Sequence, residues 1–192
     1  MKKRNLIALG AAAVLLAACI PSVNPFYTDK DVIVDSHLVG EWQDTSDTNN
    51  SEIWVFEQST NKAFDLICTE EGNLGKFNAH LFKLKDERFL DLIPAKCEYA
   101  SNQAPLVGLS MFPGHLLMRV QLSEPELKIV HFDFQWLAQY LTTNSAAIAH
   151  HSEDGNIVLT ANTSDLQNFL LKHLGTNELF QRYTTMVRRP KP

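Results

Sequence analysis

From residue 51 onward, apolar positions come in short runs separated by turn residues. Residues 52–57 (EIWVFE), 63–69 (AFDLICT), 77–84 (FNAHLFKL), 88–93 (RFLDLI), 116–122 (LLMRVQL) and 127–132 (LKIVHF) are rich in aromatic and β-branched side chains. That composition suits a pleated, half-buried strand. Asn61-Lys62, Gly72-Asn73, Asp86-Glu87 and Ser123-Glu124-Pro125 supply the turns between them, and short turns between sequential strands produce an antiparallel meander. Two stretches change period. Phe134, Leu137, Ala138 and Leu141 recur at i, i+3, i+4, i+7 with Asp133 placed to cap them, which predicts an amphipathic helix. Residues 165–174 predict a second helix, with Ser164 and Gln167 as an S-x-x-Q capping box, Gly175 as its stop, and Leu166, Phe169, Leu170 and Leu174 on the buried face. A strand at 157–160 follows the turn Asp154-Gly155-Asn156, and Tyr183–Arg188 predicts a last strand returning to the sheet.

The fold class expected is therefore α+β: mostly antiparallel sheet in a meander, with two short helices in the C-terminal half. The chain has 192 residues, 45% hydrophobic and 20% charged, enough for a sizeable core and unlike a disordered or collagenous chain. With 17 basic against 22 acidic residues and a net charge of −5, it lacks the basic surface that a nucleic-acid partner requires.

The N-terminus departs from this regime. Lys2, Lys3 and Arg4 precede an uncharged stretch from Leu6 to Ala18, the basic-then-apolar layout of an export signal and too short to span a bilayer. Leu16-Ala17-Ala18-Cys19 resembles the lipobox of bacterial lipoproteins. The resemblance implies cleavage before Cys19, a diacylglycerol thioether on its sulfur, and acylation of its new amino group. It implies the lipid bilayer as a partner through acylated Cys19. Ile20 stands where lipoproteins kept in the inner membrane often carry Asp, so the resemblance favours an outer-membrane, periplasm-facing address. Each buried methylene contributes about 0.8 kcal/mol, and two or more acyl chains anchor stably. Residues 1–18 then form a signal peptide, 19–30 an extended tether favoured by Pro21 and Pro25, and 31–192 one globular domain. Loss of the three basic residues takes the net charge from −5 to −8.

Acylation of Cys19 leaves Cys68 and Cys97, which in an oxidising compartment either form a disulfide or remain two buried thiols. Gly40-Glu41-Trp42 is a G-x-W near the first strand and resembles the signature of lipocalin-like barrels. That resemblance implies a tryptophan closing the barrel floor, with Arg182, Arg188 or Arg189 packed on its face as a cation–π partner. The alternative is an open sheet with helices on one face. The run Asn24-Pro25-Phe26-Tyr27 ahead of the G-x-W is similar to bacterial envelope lipoproteins, a likeness that carries no chemistry.

Catalytic and metal signatures are incomplete. The seven histidines, His37, His80, His115, His131, His150, His151 and His173, form no H-E-x-x-H, and His150 and His151 face opposite ways on a strand. Gly108-Leu109-Ser110 begins like a nucleophile elbow but lacks the second glycine. Residues 44–50 (DTSDTNN) lack calcium-loop spacing. No motif asks for a cofactor or a metal. Trp54, Phe56, Phe64, Phe77, Phe82 and Phe89 either line an apolar pocket or fill a core. The expectation is a non-enzymatic envelope lipoprotein that binds an apolar ligand. The alternatives are a structural or assembly lipoprotein recruiting an envelope protein through a sheet edge and, third, an envelope hydrolase using Ser110.

Overall fold

The computed structural model describes residues 20–47, 52–70, 72–95, 112–175 and 178–190. Eight strands form the barrel: β2 (Gly40–Asp44), β3 (Ile53–Gln58), β4 (Phe64–Glu70), β5 (Asn73–Leu84), β6 (Glu87–Pro94), β7 (His115–Ser123), β8 (Glu126–His131) and β11 (Tyr183–Arg188). Each pairs antiparallel with its neighbour, and β11 bridges β8 and β2. The decisive pair is β6–β7, with Leu90 opposite Met118, which closes the sheet on itself. The result is a lipocalin-like closed barrel rather than an open sheet.

Alternation sorts the strand residues into two cores. Inside the barrel lie Trp42, Trp54, Phe56, Phe64, Leu66, Ala79, Leu81, Leu90, Leu92, Met118, Val120, Leu127, Ile129 and Met186, all buried. The opposite faces of the same strands carry Phe82, Leu84, Phe89, Leu117 and Val130, which form a second core outside the wall. It is covered by the chain between β8 and β11. There, α1 (Phe134–Thr143) contributes Leu137 and Leu141, while α2 (Thr163–His173) contributes Leu166, Phe169 and Leu170. Between the helices, β9 (His150–Glu153) and β10 (Asn156–Leu159) make a hairpin whose turn, Asp154-Gly155, has φ of 50° and 81°. Asp133 caps α1 as expected, accepting from the Trp136 N–H at 2.9 Å.

Three expectations are corrected. Residues 20–30 are not an extended tether. Ile20 and Phe26 are fully buried, and β1 (Pro21–Ser22) lies between β7 and β10. Pro21 does sit in extended backbone, as the first residue of β1, but the apolar side chains that flank the two prolines, Ile20 and Phe26, found the outer core, and burial outweighs freedom. The cap of α2 is Asn162, which accepts from the Asp165 N–H at 2.9 Å, not Ser164. Gln167 instead donates to the Phe26 carbonyl at 3.0 Å and to Asp31 at 2.8 Å, because the N-terminal segment passes within its reach. Finally, β5 begins at Asn73 rather than 77, since pairing with β4 carries its polar start into the ladder.

Candidate functional site

One end of the barrel is sealed by the start of β2 and the end of β11. At the sealed end, Gly40 opens β2 with φ of 132°, a conformation that side-chain-bearing residues rarely adopt, and a Cβ there would press on the Arg188 guanidinium. Two residues on, Trp42 is fully buried and donates from Nε1 to the Leu38 carbonyl at 2.8 Å. Leu38 ends a 3-10 turn, Ser36–Leu38, capped by Asp35, which accepts from the His37 N–H at 3.0 Å and from Arg88 at 2.8 Å. Burial works against the Asp35 carboxylate, but the hydrogen bonds from His37 and the Arg88 charge outweigh it and lower its pKa. The Arg188 guanidinium lies 4.2 Å from the centre of the Trp42 ring. It donates to the carbonyls of Val39, at 2.8 Å, and His37, and to the Glu124 carboxylate, whose pKa that bond lowers. Of the three candidate arginines, Arg188 is the cation–π partner. Arg189 pairs with Glu41 at 3.3 Å and Arg182 lies 4.0 Å from Asp133.

Above this floor, Trp54, Phe56 and Phe64 fill the interior, the last two edge to face at 6.5 Å. Away from this floor, Cys68, Phe77 and Leu116 pack on the inner core only half-buried, and Leu74 is exposed. The six aromatics named from the sequence therefore divide. Trp54, Phe56, Phe64 and Phe77 face inward, whereas Phe82 and Phe89 stack on each other at 5.4 Å in the outer core. Cys68 sits opposite Trp54 on β4. Cys19, Cys97 and Ser110 lie outside the described residues.

Sequence reasoning missed a polar cluster outside the wall. Asp91, on β6, is fully buried and accepts from the Phe26 N–H at 2.8 Å and from His115 Nδ1 at 2.6 Å. His80, its cross-strand partner on β5, stacks against Tyr27 at 4.6 Å. Burial lowers the His80 pKa, and burial with the nearby Asp91 charge pushes the Tyr27 hydroxyl up to about 12. The signal was present: one aspartate sits amid the apolar run Phe89-Leu90-Asp91-Leu92-Ile93, where a charge survives only if its partners are built in. This cluster pins the N-terminal segment to the barrel. The Asp91–His115 contact joins β6 to the start of β7, and the Asp91–Phe26 bond ties the N-terminal segment to the same point.

The remaining histidines are dispersed. His131 and His173 are lowered in pKa by burial, with Arg182 and Lys172 adding to it respectively. His173 lies among Trp136, Tyr140 and Phe169. Among the described residues no three metal-ligating side chains gather. The Asp44 turn closes on itself, with Asp44 accepting from the Ser46 N–H and hydroxyl. A cleft of about 520 Å³ on the outer wall is lined by Arg119, Gln121, Lys128, Val130, Phe180 and Tyr183. Lys128 Nζ lies 3.7 Å from the Tyr183 ring centre there, and Arg119 is held by Glu87 at 2.6 Å. Comparison with protein-family models, curated proteins and solved structures finds no match.

Proposed function

We propose that the protein is an acyl-anchored lipoprotein of the bacterial envelope, non-enzymatic, whose barrel receives a small apolar ligand at the end away from Trp42 and Arg188. The observation that carries the ligand is the polarity of the barrel: an apolar interior closed at one end by Trp42 and Arg188, with the half-buried Cys68, Phe77 and Leu116 toward the other. An eight-stranded barrel has an interior just wide enough to be filled by side chains or to hold one small ligand. The address rests on the Leu16-Ala17-Ala18-Cys19 lipobox, which favours an outer-membrane, periplasm-facing position.

The two halves are tested separately. Labelling cells with a palmitate analogue should mark the parent chain, and Cys19→Ala should lose both the label and membrane association. Retained labelling overturns the anchor. Native mass spectrometry of the Cys19→Ala chain, purified without detergent, should show an apolar adduct. A bare mass, with no binding of a fluorescent fatty acid, overturns the ligand. A second reading, assembly with a protein partner, is favoured by the dense filling of the sealed half, where Trp42, Phe56, Phe64, Leu90 and Leu127 are all fully buried.

A further inference from the structure

Closing a barrel removes sheet edges, yet this sheet does not end at the barrel. On the side of β7 that carries β8, β1 takes over the pairing at Leu116 and His115, β10 pairs with β1, and β9 pairs with β10. Among the described residues, β9 is the terminal strand of this order, with one long edge facing no other strand. We propose that β9 is a dimer seam, at which two copies of this chain pair β9 to β9, antiparallel, about a twofold axis through Ser152.

The hairpin fixes which groups face outward. Glu153 and Asn156 flank the two-residue turn Asp154-Gly155, so they form the hydrogen-bonded pair that closes it, and bonding alternates from there along the strand. Glu153 and His151 thus turn their N–H and C=O toward β10. Ser152 and His150 turn theirs to the free edge. An antiparallel partner must match outward residue with outward residue, which leaves few registers. Ser152 opposite the partner's Ser152 sets His151 opposite the partner's Glu153, twice by symmetry. Shifting by one pair, with His150 opposite the partner's Ser152, sets two His151 rings against each other. In the first register each His151 ring faces a carboxylate that can accept its N–H, twice by symmetry, a cross-strand hydrogen-bond match that the second register lacks, so the first register is chosen.

Reach and access agree. Within one chain, His151 Nε2 already lies 3.4 Å from Glu153 Oε2, so ring and carboxylate share a face and a height above the sheet. His151, Ser152 and Glu153 are exposed. The strand carries none of the lysines, prolines or bulges that commonly blunt a free edge. The contact is self-complementary, as a twofold interface requires.

A crosslink tests the register. In a hydrogen-bonded antiparallel pair the Cα atoms lie about 5.5 Å apart, inside the roughly 4.4–6.8 Å window of a disulfide. The full chain carrying Ser152→Cys should therefore give several-fold more covalent dimer under mild copper-phenanthroline oxidation than Thr142→Cys, an exposed position on α1. Equal yields overturn the seam. Ser152→Pro removes the outward N–H without touching a bond to β10. It should convert a dimer seen by native mass spectrometry into monomer, and persistence of the dimer overturns the proposal. If Ser152→Pro fails to fold, the crosslink comparison decides alone. A parent chain that is monomeric, or that pairs β9 only with a different protein, also overturns it.

Discussion

Replacing Arg188 by alanine removes the lid from the barrel floor without touching the ladder, since the β11 pairing uses backbone atoms. The guanidinium sits on the buried Trp42 ring at 4.2 Å, and such a partly desolvated cation–π contact contributes about 1–2 kcal/mol. Its bonds to the Val39 and His37 carbonyls are charge-assisted, a class worth about 1.5–3 kcal/mol each when buried. Here the carbonyls lie at the barrel rim, where water can replace the donor, so together they add no more than about 2 kcal/mol. The exposed contact with Glu124 is left out of the sum. The expected loss is about 3 kcal/mol, which for a domain of this size lowers Tm by roughly 6–12 °C. Arg188→Lys keeps the charge but loses the planar fork, and should fall between parent and alanine variant. Urea unfolding followed by far-ultraviolet circular dichroism measures both, avoiding the fluorescence of Trp42 itself. An Arg188→Ala change below about 0.5 kcal/mol, the range of an ordinary surface substitution, would show that the floor does not depend on its lid.

Asp91→Ala strands the buried Phe26 N–H, a loss of about 1–3 kcal/mol, and should raise hydrogen exchange across residues 22–30 by on the order of tenfold to a hundredfold. Unchanged exchange there would mean that packing alone holds the segment. Acid should destabilise the fold, because burial lowers the pKa of His80, His131 and His173. The unfolded chain takes up protons near pH ~6.5 while these sites stay neutral. Stability is therefore full above that pH and is lost as the pH falls toward the lower folded values. Urea midpoints at stepped pH measure this, and His80→Phe, which keeps a ring against Tyr27, should flatten the slope; a midpoint that rises on acidification refutes the reasoning. A Cys68–Cys97 bridge predicts that alkylation with intact-mass readout modifies neither thiol before reduction and both after it. Reaction of both without reductant removes the bridge.

Much of the fold was legible because local rules and tertiary outcome coincide. The strand at Tyr183–Arg188 matches the expected range, α1 starts after Asp133 as its stripe demands, and the G-x-W led to the correct end of the barrel. The misreadings share a cause. Pro21 and Pro25 specify extended backbone, which fits a tether and a short strand equally well, and only the presence of Leu159 and Leu116 alongside makes it a strand. Ser164 and Asn162 are both competent caps, and the turn of chain that sets Asn162 at the helix start depends on the approach from β10. Asp91 was visible as a charge in an apolar run, but its partners come from residues 65 and 24 positions away.

By itself, the sequence determined the period of each element, the G-x-W chemistry of the floor, and the lipobox from which the proposed address follows. These are local, written in spacing and side-chain type. Closure of the barrel, the choice of Arg188 among three arginines, the inward or outward sense of each aromatic, and the terminal place of β9 among the described strands were decided by tertiary structure. Each depends on which strand lies beside which. A period of two assigns residues to alternate faces but never says which face is inside until the sheet has closed.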